Sequence, residues 1–230
     1  MHFYYDSTYI LVIIGAVIVL IAQGMVKSAF GKYSNIRSSA GITGAEAARK
    51  ALHDTGVYDV TVMRVPGELT DHFNPASKTV NLSDPVYGAD SIAAIAVACH
   101  ECGHAMQHNE DYLPLKIRSA IVPAASFGSK LGFPIVIAGL FFSLGPLMFA
   151  GVILFTLGVA FQIVTLPVEF DASRRALEYI EGSGLITGNE LEGAKKVLRA
   201  AALTYVASAA AAVLSLLRLI LLSRNSRRND

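Results

Sequence analysis

Charge is what this chain has least of. Asp, Glu, Lys and Arg make up 16% of its 230 residues, hydrophobic side chains make up 53%, and the formal net charge is +1. A soluble domain ordinarily carries about 25% charged residues. No basic block occurs, so the electrostatic footprint that nucleic acid demands is missing and nucleic acid is excluded as a partner. Repeats and low-complexity segments are absent as well. Cysteine is nearly so: Cys99 and Cys102 stand three apart on one predicted helix, which does not suggest a structural disulfide in the cytoplasm. Basic residues are missing ahead of the first apolar run, and no small-residue cleavage site ends it, so that run is not a secretory signal peptide.

What is present in excess is long apolar segments. Tyr9 to Val26, Leu131 to Leu166 and Ala200 to Leu222 are almost uncharged. A helix needs roughly 20 apolar residues to cross about 30 Å of hydrocarbon. The first segment meets that length. The second is comfortable for two crossings, with Gly145-Pro146 as the break and spans near 120–144 and 147–166. The third carries Arg218 close to its end, where the side chain can snorkel. That segment either spans or lies along the interface, and a span is the favoured reading. The expectation is a multi-pass protein of the cell membrane with about four transmembrane helices.

MHFYYDSTY, ahead of the first span, has no Lys or Arg, whereas Lys27, Lys32 and Arg37 follow it. Lys116 and Arg118 precede the hairpin; Arg174 and Arg175 follow it. The positive-inside rule then places the N-terminus outside and residues 27–118 in the cytoplasm. The arginines of the C-terminal SRNSRRND pull the other way if the last segment crosses.

Between the spans the pattern changes. GITGAEAARKALHD (residues 41–54) reads as a helix, with Thr43 and Glu46 as a capping box and Ala45, Ala48 and Leu52 on one face. Val60–Val65 and Lys78–Leu82 alternate like strands of a β-hairpin or small sheet. Asp90 or Ser91 caps a helix from Ile92 to about His108. Pro167 opens a helix that stops at Gly182 or Gly184, and Thr187–Arg199 forms a further short one. The divisions are therefore a membrane anchor at 1–26, a catalytic part at 27–118, a transmembrane hairpin at 119–166, a helix at 167–199, and an apolar helix with tail at 200–230. The fold class is mainly α.

The chemistry concentrates in ACHECGHAMQH, residues 98–108. His100 and His104 are four apart, and four steps of about 100° bring both imidazoles to one helix face. Imidazole is a good zinc ligand, and tetrahedral zinc takes four donors. With three from the protein, the open position takes a water that the ion acidifies. Glu101 sits one step from His100, beside such an ion rather than on it, where it acts as general base. The apolar SIAAIAVA ahead of the motif reads as buried, and buried histidines and a glutamate need partners. Glu169, set among apolar residues in LPVEFDASRRAL, is the third ligand by this reading. The bland alternative is an interfacial glutamate paired with Arg174 or a lysine. Asp171, two residues on, points away from Glu169's face and suits orienting an imidazole or an arginine. His108, one turn past His104, is expected in solvent or behind a ligand rather than on the ion.

Two rival chemistries remain. Cys99 and Cys102 form a Cys-x-x-Cys, but redox pairs occupy helix N-termini, where the dipole acidifies a thiol. These lie well inside their helix, which favours packing. The other rival is a catalytically idle, zinc-stabilised scaffold or assembly factor for membrane proteins.

These residues resemble the YugP-like bacterial membrane zinc metallopeptidases, which are related in pattern to HtpX-type and CAAX-prenyl-protease-type enzymes. The likeness rests on GITGAEAARKAL, VPGELTDHFNP with KTVNLS, ACHECGHAMQH, LPVEFDASRRAL and AALTYVASAA. It implies zinc on His100, His104 and Glu169, Glu101 as base, and hydrolysis of peptide bonds in protein or peptide substrates. The HtpX pattern places an aspartate four residues after the ligand glutamate; here that position is Ser173. The resemblance also suggests KTVNLS as an edge strand beside the metal that an extended substrate could join. His72 and Tyr205 are candidate oxyanion helpers, with a packing or hydrogen-bonding role the favoured reading for each.

Overall fold

The computed structural model describes residues 7–226, the last three by backbone alone. In chain order the elements are α1 (Tyr9–Ser34), α2 (Gly44–Asp54), β1 (Thr61–Val65), β2 (His72–Asn74), β3 (Thr79–Ser83), α3 (Asp84–Tyr87), α4 (Ile92–Asn109), α5 (Leu113–Phe141), α6 (Gly145–Gly182) and α7 (Gly188–Ser226). The fold is mainly helical, with one small sheet. The chain forms two compact units. One gathers residues up to Ala22, Lys116–Leu166 and the chain from Thr204 onward; the other gathers Gln23–Leu115 and Pro167–Leu203.

In the first unit the helices α1, α5, α6 and α7 are long and apolar enough to cross a membrane. Within the hairpin, α5 and α6 approach so closely that only glycine fits. A Cβ on Gly128 would stand 2.2 Å from the Leu154 carbonyl oxygen, and one on Gly132 would stand 2.7 Å from the Phe155 nitrogen. Small residues of this kind let two backbones approach where lipid gives no hydrophobic drive to pair. The turn differs from expectation. Gly145-Pro146 does not make it but opens α6; Phe142, Ser143 and Leu144 make it, with Ser143 at φ 54°. Proline fits the first helical turn because its missing N–H has no partner there.

In the second unit the capping box on α2 is complete. Glu46 N donates to Thr43 Oγ1 and Thr43 N donates to the Glu46 carboxylate. Ser91, rather than Asp90, caps α4 by accepting from Ala94 N at 3.2 Å. Ala45, Ala48 and Leu52 of α2 lie buried in one cluster with Ala94, Ile95, Ala98 and Cys102 of α4 and with Val80 and Leu82 of β3. Complete burial of Ile95 or Leu82 contributes about 2 kcal/mol each.

The sheet has the order β1-β3-β2, with β1 parallel and β2 antiparallel to β3. KTVNLS is thus the central strand and not an edge, which corrects the expectation that a substrate could join it. Burial explains the placement. Every residue of β3 after Thr79 is buried, and its inward polar groups are satisfied: Asn81 donates to Thr79 Oγ1 and Ser83 donates to Asp71. The pair of strands read from the sequence was never a simple hairpin, because β2, only three residues long, carries too little pattern to show.

Two helices are longer than expected. Pro167 does not start a helix but lies inside α6, and Thr187–Arg199 is the beginning of α7 rather than a separate piece. Proline removes one hydrogen bond and crowds the preceding turn, at about 3 kcal/mol. Beyond it, Val168, Ala172, Ala176 and Ile180 repeat every four residues and are fully buried, so packing offsets the cost and the helix continues past the proline. In α7 no Gly or Pro separates Arg199 from Ala200, and the alanine-rich run simply continues. Most of the terminal segments used to argue orientation, MHFYYD and the arginines 227 and 228, lie outside the described residues.

Candidate metal centre

The histidines are positioned by α4. Its cap, its alanine-rich buried face and Gly103 set the helix against the start of the continued α6: a Cβ on Gly103 would meet the Ala172 carbonyl oxygen at 2.5 Å. At that near-contact His100 and His104 face Glu169. Each Nε2 stands 3.5 Å from Glu169 Oε2, and the ligand atoms of the three residues lie within 4.8 Å of one another. The two rings meet edge-on, 4.9 Å apart at 80°. Glu169 is 2% exposed and each histidine 9%.

Both ring nitrogens on the far side are engaged. His100 Nδ1 meets Ser173 Oγ at 3.1 Å, and His104 Nδ1 meets Gln107 Oε1 at 3.0 Å. Gln107 Nε2 in turn donates to the Val168 carbonyl and to Asp171 Oδ2. Burial works against charge on His104, but the carboxylates of Glu169 and Glu101 outweigh it and raise the affinity of that ring for a proton. Glu101 is 7% exposed, and its carboxylate acts on His104 through space.

A family model described as "Putative neutral zinc metallopeptidase" matches residues 8–224, nearly the whole chain. The chain belongs to that family of zinc metallopeptidases. A relative from Bacillus subtilis (strain 168), described as "Putative membrane protease YugP", is 48% identical over 206 residues, which cover 90% of this chain and 92% of the relative. No solved structure matches.

The donor set fits the family's metal. Two neutral imidazoles and a carboxylate are a zinc donor set, and donors about 2.0–2.1 Å from a tetrahedral ion stand about 3.3 Å apart. The observed 3.5 Å is close to that spacing and longer than a direct N–H···O hydrogen bond.

The other residues singled out in the sequence sort as follows. Arg174 does not pair with Glu169. It binds Asp171 and Glu178 instead, so Arg174 is not the partner that the interfacial reading named. Asp171 accepts from Arg174, Arg175 and Gln107, so it reaches His104 through Gln107. His108 stands ring to ring with Phe73 at 5.7 Å. His72, on β2, is exposed, and its Nδ1 is bonded to the Thr70 carbonyl. Tyr205 belongs to the membrane unit. Cys99 and Cys102 are buried free thiols; burial pushes Cys99 up to about 12 and Cys102 well above its usual range. Neither is the acidic thiolate that disulfide exchange needs. Sequence reasoning missed Gln107 entirely. The available signal was its place three residues after His104, where helix neighbours meet. Ser173, one turn after Glu169, stood out only as a departure from a related pattern.

Proposed function

We propose that this chain is a membrane-anchored zinc endopeptidase in which His100, His104 and Glu169 hold the ion and Glu101 is the general base. One observation carries the reading: donors from two helices 65 residues apart in sequence, His104 and Glu169, converge with His100, each imidazole Nε2 standing 3.5 Å from the Glu169 carboxylate. Zinc, when bound, supplies a Lewis acid that polarises a carbonyl and acidifies water. Glu101 follows His100 by one helical step, which puts its carboxylate at the flank of the donor face. From there the carboxylate takes a proton from the attacking water and delivers it to the departing amine. Gln107 and Ser173 hold the imidazoles in place while this happens.

The site faces the cytoplasm in this proposal. Fourteen of the nineteen Lys and Arg residues lie in 27–118 and 167–203, the segments that build the metal site. Substrates on that account are peptides and proteins, membrane proteins among them. An idle zinc scaffold would need the three ligands but not Glu101. Hydrolysis of a casein or peptide substrate by the purified protein, with metal content measured alongside, separates the two. Glu101→Gln should keep its zinc and lose cleavage by about 100-fold or more, while Glu169→Ala should lose zinc. Wild-type cleavage by Glu101→Gln, or full zinc in Glu169→Ala, refutes the assignment.

A further inference from the structure

The side chain of Gln107 is fully buried. It spans from one proposed ligand to the helix that carries another. Its two ends are not interchangeable. One end faces the Val168 carbonyl at 2.8 Å and Asp171 Oδ2 at 2.9 Å. A carbonyl only accepts. Asp171 only accepts too, because Arg174 and Arg175 both donate to it and hold it as a carboxylate. The NH2 group of Gln107 must therefore occupy that end, and its oxygen must face His104 Nδ1 at 3.0 Å. An amide oxygen cannot donate, so the proton between them belongs to His104 Nδ1. That leaves the Nε2 lone pair as the free one, and Nε2 is the atom that faces Glu169.

We propose that Gln107 is a positioning residue that fixes His104 in the Nδ1–H tautomer and aims its Nε2 lone pair into the metal site, with Asp171 and the Val168 carbonyl setting the direction of the amide. The arrangement extends to the surface, since Arg175 also pairs with Glu110 at 2.8 Å. His100 is held differently. Its Nδ1 partner is the Ser173 hydroxyl, which rotates and either donates or accepts, so Ser173 orients the ring without choosing its tautomer. The two imidazoles are thus unequal: one is locked by an amide that cannot flip and the other is only steadied. This inference rests on the metal-centre reading above, and it assigns Gln107 and Asp171 a role in metal affinity and not in proton transfer.

The test uses the full chain in detergent, with zinc itself as the probe. Gln107→Met keeps the side-chain length and removes the amide; Gln107→Asn keeps an amide too short to reach Nδ1. Zinc affinity, measured by competition with a chromophoric chelator, should weaken about 10- to 100-fold in both; the zinc-free variants should still unfold cooperatively, at a lower midpoint, because the Val168 carbonyl loses its donor. Ser173→Ala should weaken zinc less. In wild type, nitrogen-resolved NMR of the zinc-loaded histidines should show His104 coordinated through Nε2, with a slowly exchanging Nδ1–H that is lost in Gln107→Met. Coordination through Nδ1, or a folded Gln107 variant that binds zinc within twofold of wild type, overturns the inference and leaves the metal centre standing. A wild-type protein that takes up no zinc overturns the metal centre first, and the inference with it.

Discussion

Gly103 offers a sharp test of how the two ligand helices are held together. Replacing it with Ala adds one methyl group to the centre of α4. On propensity alone the change is favourable, since Ala is better than Gly inside a helix by about 1 kcal/mol. The tertiary structure says otherwise. The new Cβ would stand 2.5 Å from the Ala172 carbonyl oxygen and 3.1 Å from the Ala172 carbon atoms. A relaxed C···O contact is about 3.3 Å or more, so the helices must part locally by about 0.8 Å. What stands in the way is backbone, which cannot swing aside as a side chain can. Overpacking of this kind costs about 1–3 kcal/mol, which outweighs the propensity gain at all but its lower end. A net loss of up to about 2 kcal/mol lowers the melting temperature by a few degrees in a chain of this size. The metal should respond more strongly. Ala172 is three residues from Glu169, and metal sites tolerate distance errors of only about 0.2 Å. Zinc affinity should fall at least about tenfold. The assay is chelator competition together with thermal unfolding in the presence and absence of zinc. Gly31→Ala, in α1, where a Cβ would meet nothing within 4 Å, is the control and should stabilise slightly. If Gly103→Ala melts at or above wild type and binds zinc as tightly, the close approach of α4 and α6 is not what builds the site.

The same reasoning applies to the hairpin. Gly128→Ala, whose Cβ would sit 2.2 Å from the Leu154 oxygen, should lower thermal stability in detergent, whereas Gly158→Ala, with 3.5 Å of clearance, should not; equal effects would refute the packing. With Cys99 held up to about 12, the native protein should resist iodoacetamide at pH 8 and react only on unfolding, and rapid native labelling would restore the thiol reading. The sign for stability follows from the same shift. Below about pH 8.5 the thiol is neutral in both states, and above it the unfolded chain ionises first. Stability should therefore fall by about 1.4 kcal/mol per pH unit for each of the two buried thiols as pH rises from there. Denaturation midpoints at pH 8, 9 and 10 that do not decline would contradict the burial of these thiols. Cys99→Ala with Cys102→Ala should retain peptide cleavage, and its complete loss would count against a packing role.

Much of this protein was legible in one dimension because its strongest signals are local. Apolar length marks the spans, His100 and His104 share a face through helical periodicity, and Thr43 with Glu46 announces the start of α2 within four residues. The run through Pro167 was not legible, because proline's local cost is overruled by Val168, Ala172, Ala176 and Ile180, whose burial depends on what lies opposite. Nor was the central place of β3, since strand order follows from partners and not from alternation. The ring contacts of Gln107 and Ser173 were likewise invisible, because polar residues on a helix read as solvated until another helix is brought against them. Composition and periodicity by themselves determined a membrane protein with a pair of imidazoles on one helical face. Only tertiary structure decided that Glu169 meets them, at 3.5 Å, because the distance between residues remote in sequence is set by the packing of α4 on α6 through Gly103.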